Sequence, residues 1–248
     1  MQRGGKPETE ILHGEVLSEA GALETWGWGT KAGRYRVRQR ADFLIKSCRL
    51  GPGVNVLECG CGVGLFSKML AETGANITAV DISPKLLEMA RKYCDSPNVK
   101  FVEDNLESPA NLQHEHFDVL CGISVLHHLS VVPSLTALKT KLRPGALFAF
   151  SEPNILNPLN KYYYCTTDLE KRKARKINLT EMAFTPKELR GLLEQSGYIV
   201  DGLLQRDFLP SFTPDPLIQM VRSVGWLFER IPVINLWSGT LQIYGHLP

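Results

Sequence analysis

The sequence lacks any long hydrophobic run: no window approaches the roughly 18 consecutive apolar residues of a membrane span, so stable membrane insertion is not expected. It also lacks an excess of charge of one sign. Twenty-eight Lys and Arg stand against 26 Asp and Glu, a formal net charge of +2. So weak an overall field predicts neither a nucleic-acid partner nor an acidic one. The opening stretch MQRGGKPETEILHGEVLSEAGAL has no apolar core of the secretory kind. The six cysteines, Cys48, Cys59, Cys61, Cys94, Cys121 and Cys165, lie dispersed in apolar surroundings rather than as a disulfide framework. Reduced thiols and a cytoplasmic location are the expectation. Internal repeats and low-complexity tracts are missing as well. What is present is 248 residues, 44% of them hydrophobic, enough to bury a core in one large domain or one domain with a cap.

From residue 54 short apolar runs alternate with helical patterns, the signature of a parallel sheet with crossover helices. Strands are expected at Val54–Cys59, Asn76–Ile82, Val99–Glu103, Phe117–Ile123 and Ala146–Glu152. Ser83 and Pro84 start one helix as N-cap and first residue. A helix over Pro133–Leu142 is expected to stop at Arg143-Pro144-Gly145. After residue 152 the rhythm breaks. Residues 153–184 carry paired prolines, three consecutive tyrosines and the basic run Lys171–Lys176. A helix at Pro186–Ser196, capped by Thr185, and a strand around Tyr198–Phe208 follow. Residues 209–238 form a second insertion with an apolar helical pattern, and Thr240–Gly245 alternates like a final strand. The expected organisation is a helical arm over 1–50 and a domain over 51–248, with insertions at about 153–184 and 209–238.

The most informative stretch is VLECGCGVGLFSKML, Val56–Leu70. A loop that leaves a strand and opens a helix offers free backbone N–H groups, and glycines let a ligand come close. Gly60, Gly62 and Gly64 fit that role. Asp81 ends the next strand, 17 residues beyond Gly64, where an acid can accept both hydroxyls of a ribose. A dinucleotide fingerprint reads G-x-G-x-x-G, whereas this loop reads G-C-G-V-G after Glu58. Two thiols at Cys59 and Cys61 would supply half a zinc site, but no second pair stands at ligand spacing. Neighbouring His127 and His128 cannot both face one site from a regular strand or helix. With no convincing carboxylate cluster either, no metal is expected.

The acid-x-Gly-x-Gly-x-Gly form resembles motif I of the class I S-adenosylmethionine-dependent methyltransferases. Further elements follow in that family's order: Glu103-Asp104-Asn105 after the third strand, Phe117-Asp118-Val119 opening the fourth, and Leu142-Arg143-Pro144-Gly145-Ala146 before the fifth. The resemblance covers about residues 35–152 plus the last strand pair. It implies an α/β, Rossmann-like, seven-stranded, mostly parallel sheet with helices on both faces, an N-terminal helical arm, and caps after strand 5 and between strands 6 and 7. It implies S-adenosylmethionine as cofactor, held by Glu58, Gly60, Cys61, Gly62, Asp81, Ile82, Asp104, Asn105, Leu106 and Ile123, with an acid after the third strand on the adenine amino group. Enzymes of the ubiquinone-biosynthesis type place an arginine about where Arg40 stands. Arg40, then Arg36, is therefore expected on the cofactor carboxylate, through the bidentate fork arginine offers. A solvated basic helix face is the alternative. Trp26 and Trp28 are candidates to close over the sulfonium or simply to pack.

Methyl transfer needs alignment and exclusion of water, and a base where the acceptor is a hydroxyl. His127, His128 and Glu152 stand at the strand edge where open α/β sheets bind ligands. Each is a catalytic candidate, against pocket-shaping for the histidines and anchoring of the insertion for Glu152. The insertions are the expected acceptor site, with Tyr162–Tyr164 and the segment Arg206–Pro216. The apolar segment Leu217–Trp237 is expected to pack on the sheet or at a dimer seam, or else to meet a lipid-like substrate. The expected function is methylation of a small molecule, most readily at oxygen, in a biosynthetic pathway, by a monomer or homodimer. Alternatives are a cofactor-binding protein without transfer activity and a protein or nucleic-acid methyltransferase. A nicotinamide oxidoreductase is disfavoured by the loop spacing.

Overall fold

The computed structural model describes residues 7–112, 116–175, 177 and 181–248. Short runs of β-branched and aliphatic residues become strands because they pack well on a pleated surface. Seven strands form one sheet: β1 (Asn55–Cys59), β2 (Asn76–Asp81), β3 (Val99–Glu103), β4 (Phe117–Ile123), β5 (Leu142–Pro153), β6 (Ile199–Arg206) and β7 (Thr240–His246). Their order is β3-β2-β1-β4-β5-β7-β6. β7 runs antiparallel to β5 and β6, and the remaining pairs are parallel. The mostly parallel seven-stranded α/β sheet expected from the sequence is the one observed.

Helices α1 (Pro7–Ala20), α2 (Ala22–Thr25) and α3 (Lys31–Ser47) precede β1. α4 (Leu65–Ala71) follows β1, α5 (Pro84–Tyr93) follows β2, and α6 (Val131–Lys139) joins β4 to β5. Between β5 and β6 come α7 (Pro158–Tyr164), α8 (Leu169–Ala174) and α9 (Pro186–Gln195); α10 (Ile218–Phe228) lies between β6 and β7. Local signals set the starts. The Ser83 hydroxyl accepts from Leu86 N at 3.4 Å, and Thr185 with Glu188 forms a capping box on α9. The largest departure from the expected boundaries lies between α6 and β5. α6 ends at Lys139, and Leu142 already pairs with Phe117 in the sheet. Arg143-Pro144-Gly145 forms a bulge inside β5, with Gly145 at φ 74°, rather than a turn before it.

Side chains alternate across the sheet, and both faces are covered. Leu57, Leu120, Phe148 and Phe150 pack with Leu135 and Leu138 of α6 and Leu189 and Leu193 of α9. Val56, Val119, Cys121 and Ala149 pack with Val37, Ala41 and Leu44 of α3 and with Phe66 and Leu70 of α4. Burial on both faces explains why the strands read as nearly unbroken apolar runs.

The two insertions are stitched together by asparagines that drew no attention in the sequence. Asn154 Nδ2 donates to the backbone oxygens of Leu236 and Ser238, both at 2.8 Å. Asn157 Nδ2 donates to Trp237 O at 2.6 Å and Asn160 Nδ2 to Gly239 O at 2.8 Å. The apolar segment Leu217–Trp237 packs on one side only, and there Ile218 meets Ala32 of α3 and Leu209 rather than the sheet. Ile218 and Gly225 are buried, while Met220, Val224 and Trp226 are exposed. Among the described residues no helix is long and apolar enough to cross a membrane.

Candidate active site

Sheet order reverses between β1 and β4, and the crevice at their C-terminal ends opens into a cavity of about 980 Å³. One wall is the glycine loop. Gly60, at φ 64°, has no room for a Cβ, which would stand 2.5 Å from Val125 Cγ2. Gly62, at φ 53°, faces the Trp26 ring, 3.1 Å from where its Cβ would be. Left-handed backbone at both positions favours glycine. Asp81 ties the loop to the end of β2: its carboxylate accepts from Gly62 N at 2.8 Å and from Ser83 N at 2.9 Å. Burial pushes the Asp81 carboxyl above its usual range against the pull of those two amides.

Arg36, Arg40, Glu58, Gly60, Cys61, Gly62, Asp81, Ile82, Asp104, Asn105, Leu106 and Ile123 all line this one cavity, as do His127 and His128. Several have partners the sequence did not disclose. Asp104 accepts from the backbone N–H of Asn105, Ala110 and Asn111 and so folds the loop after β3 as well as lining the wall. Arg36 Nε meets Asp207 Oδ2 at 2.7 Å, and Arg40 meets the same oxygen at 3.2 Å and Thr240 Oγ1 at 2.8 Å. Neither is therefore the solvated basic face that was the alternative, and neither is an unengaged fork. Burial, and the neighbouring Arg36 charge, pull the Arg40 guanidinium down to about 10, while Asp207 pulls the other way. Arg40 Nε keeps no hydrogen-bond partner among the described residues. Trp26 and Trp28 meet at a tilt of 48°, ring centroids 4.9 Å apart, on the cavity wall, and Trp28 meets Phe66 edge-on.

Glu152 requires a correction: it is not among the residues lining the cavity. Its Oε1 accepts from Val125 N and Leu126 N, both at 2.9 Å, and its Oε2 lies 2.7 Å from His127 Nδ1. Fully buried, it is a positioning residue that fixes the 3-10 turn Leu126–His128 and orients His127. That turn also overturns the argument that adjacent histidines cannot share a site, because it is neither a strand nor a regular helix. The two rings lie 4.3 Å apart, and both Nε2 atoms face Glu181 Oε1, at 3.5 Å from His127 and 4.0 Å from His128. His128 Nδ1 lies 3.2 Å from Glu10 Oε2, and the His13 ring is 5.9 Å from the His128 ring. Burial opposes charge on His127, yet hydrogen bonds to Glu152 and Glu181 outweigh it and hold the ring at about 9.

Of the three tyrosines, Tyr163 and Tyr164 line the cavity; Tyr162 is exposed and stacks on Arg175. The basic run is partly structural. Arg172 donates to the backbone oxygens of Tyr164 and Glu181, and Arg175 to those of Tyr162 and Tyr163. Lys176 lies outside the described residues.

Comparison with known proteins fits this geometry. The family described as "Methyltransferase domain" matches residues 57–150, which run from β1 to β5. An ubiquinone biosynthesis O-methyltransferase of Actinobacillus pleuropneumoniae serotype 7 is 30% identical over 125 residues, 46% of this chain and 52% of that protein. The chain thus spans about half the length of this and similar curated relatives. The enzyme of the same name from Xanthomonas oryzae pv. oryzae is 30% identical over 164 residues, 62% of this chain and 67% of that protein. The chain belongs to the class I S-adenosylmethionine-dependent methyltransferases. The solved N-methyltransferase NodS of Bradyrhizobium japonicum, in complex with S-adenosyl-L-homocysteine, shares the fold, with a TM-score of 0.58 at 16% identity over 89% of each chain.

In this methyltransferase the acid of the glycine motif carries an unusual charge state. Burial, with the nearby Asp81 charge adding to it, pushes the Glu58 carboxyl up to about 8, and Ser67 only partly offsets this. Its Oε2 has no hydrogen-bond partner among the described residues. An acid raised from its ordinary 4.5 favours folding fully below that value, and the benefit is lost as pH rises through the folded value near 8. Glu58→Gln is therefore expected to flatten the decline in thermal midpoint between pH 5 and 8 and to exceed the parent protein at pH 8. Parallel curves for the two proteins would contradict the assignment. The cysteines of the same loop are fillers: Cys59 and Cys61 are buried, and burial drives both thiols well above their ordinary range.

Proposed function

We propose that this methyltransferase binds S-adenosylmethionine at the glycine-loop wall of the cavity and methylates an oxygen nucleophile on a small molecule at the histidine-lined wall. The carrying observation is that one cavity is lined by two chemically distinct groups of residues. The loop and Asp81 form one; His127, His128, Glu181 and Tyr164 form the other, near enough that the His128 charge acts on Asp81. The first group suits the cofactor. Asp81 keeps lone pairs for ribose hydroxyls, Gly60 and Gly62 leave space where side chains would intrude, and the unpartnered Arg40 Nε and Glu58 Oε2 are polar atoms that a charged amino-acid tail would satisfy. Trp26, against Gly62, and Trp28 put aromatic rings on the cavity wall that would attract a cation.

Bound S-adenosylmethionine supplies a sulfonium methyl, which passes to the acceptor oxygen as the C–S bond breaks. The chain supplies alignment: loop and Asp81 fix one partner, while Tyr163, Tyr164 and the asparagine-stitched insertions wall in the other and exclude water. Such orientation can be worth about 7–11 kcal/mol. The hydroxyl proton leaves into the histidine–glutamate cluster. The relatives are named as O-methyltransferases of ubiquinone biosynthesis, which favours an oxygen acceptor here, and the tyrosine rings on the cavity wall are compatible with an aromatic one.

Labelled methyl transfer against a panel of phenols, amines and carbon acids tests the reading. Label is expected in the phenol fraction as a base-stable ether, with S-adenosylhomocysteine released in equal amount. Cofactor binding by calorimetry with no transfer to any acceptor class would favour the cofactor-binding alternative instead.

A further inference from the structure

His127, His128 and Glu181 present three ligand atoms within 4.8 Å of one another on the wall of the cavity. We propose that these residues form a binding site for a divalent first-row transition ion, of the two-histidine, one-carboxylate type with open coordination positions. The geometry needs little adjustment. Ligands about 2.0–2.1 Å from an ion in tetrahedral array stand roughly 3.3 Å apart. The Glu181 oxygen already lies 3.5 Å from one Nε2 and 4.0 Å from the other. Imidazole paired with a single carboxylate suits zinc, iron, cobalt or nickel better than magnesium or calcium, which prefer all-oxygen shells.

The surroundings are what separate this cluster from a chance meeting of polar groups. Histidine ligands of metals almost always donate their second ring N–H to a carboxylate or carbonyl, which fixes the tautomer and the ring plane. His127 has such a partner on Nδ1, Glu152 at 2.7 Å; His128 Nδ1 lies 3.2 Å from Glu10 Oε2 as a charge neighbour, without hydrogen-bond geometry. Both Nε2 atoms face the same Glu181 oxygen, and on His127 the Glu152 bond fixes that orientation. Glu152 is itself locked by two backbone amides, so His127 is held rigidly. The carboxylates also supply the charge: buried Glu152 and Glu181 and half-buried Glu10 converge on the two rings, where a dication would offset their mutual repulsion. The His13 ring, 5.9 Å from that of His128 and on the same wall, is placed to become a fourth ligand or to bind a metal-held water.

An ion here opens toward the cavity, where an acceptor hydroxyl would take the free position and be acidified as metal-bound water is. That consequence rests on the transfer reading; the site itself does not, and its test needs no turnover. The full-length protein, stripped with a chelator and dialysed, is titrated with zinc by calorimetry and with cobalt by visible absorption. One equivalent is expected, with a cobalt d–d band that zinc abolishes. His128→Ala and Glu181→Gln are each expected to weaken binding at least 100-fold, and Glu152→Gln about tenfold, by loss of the His127 ring's orienting carboxylate. Retained S-adenosylhomocysteine binding certifies that each variant is folded. No saturable single equivalent, or binding unchanged in both ligand variants, would overturn the proposal. A cobalt band with no methyl transfer to any acceptor would leave the site standing and remove only the transfer reading.

Discussion

Glu152→Ala is expected to be the most damaging single substitution at the site, lowering stability by about 3–5 kcal/mol, the range for removing one partner of a buried, hydrogen-bonded pair. Three groups lose their acceptor together: Val125 N, Leu126 N and the His127 ring. All lie where water does not reach, so each bears a desolvation penalty of about 1–3 kcal/mol unless the turn rearranges. Glu152→Gln keeps an oxygen for the two amides and should recover most of the loss while His127 loses its charged partner. Chemical denaturation of the three proteins reads the series directly. An alanine variant within about 1 kcal/mol of the parent would mean that the turn holds itself, and the positioning role of Glu152 would fall.

On the glycine-loop wall of the same cavity, Asp81→Ala is expected to weaken S-adenosylmethionine binding at least tenfold, which corresponds to about 1.4 kcal/mol or more. Two effects combine. The ribose hydroxyls lose their acceptor, and the glycine loop loses the carboxylate that holds Gly62 N and Ser83 N. Asp81→Asn separates them: one amide oxygen still serves the loop, but the pair of acceptors for two hydroxyls is gone. Calorimetry should rank the parent above the asparagine variant and that above alanine. Equal affinity in all three would show that the ribose lies elsewhere.

The strands and the glycine loop were legible because they are local. A run such as Asn55–Cys59 can form little but a buried strand, and Gly60 with Asp81 encodes a ligand through spacing alone. The cluster at the histidine-lined wall was not legible, since Glu10, His127, Glu152 and Glu181 come from four separated segments and meet only after the sheet closes. Asp207 was missed for the same reason, as it reaches Arg36 and Arg40 across more than 160 residues. The argument about the paired histidines failed differently. It assumed a regular element, and the chain made a single 3-10 turn, held by a carboxylate that sequence reading had assigned to chemistry. Tyr162 looked equivalent to its two neighbours, but successive residues on a helix point about 100° apart, and only Tyr163 and Tyr164 of the three face inward.

Asp207 has a consequence for how this protein can be re-engineered. One carboxylate serves the arm through Arg36 and Arg40 and approaches Thr240 of β7 at 3.5 Å, while its own backbone, at φ 77°, turns the chain into the second insertion. The asparagine stitches, by contrast, grip only main-chain oxygens at 236–239 and are indifferent to the side chains there. Swapping the segment from Phe208 to Trp237 with one from a relative is thus compatible with the scaffold where Glu229, which accepts from Arg206 and Asp207 N, and the apolar contacts of Leu209 and Ile218 with Ala32 are kept. A crossover that discards Asp207, by contrast, strands buried Arg40 and half-buried Arg36. The seam for transplanting acceptor specificity lies one residue after that aspartate.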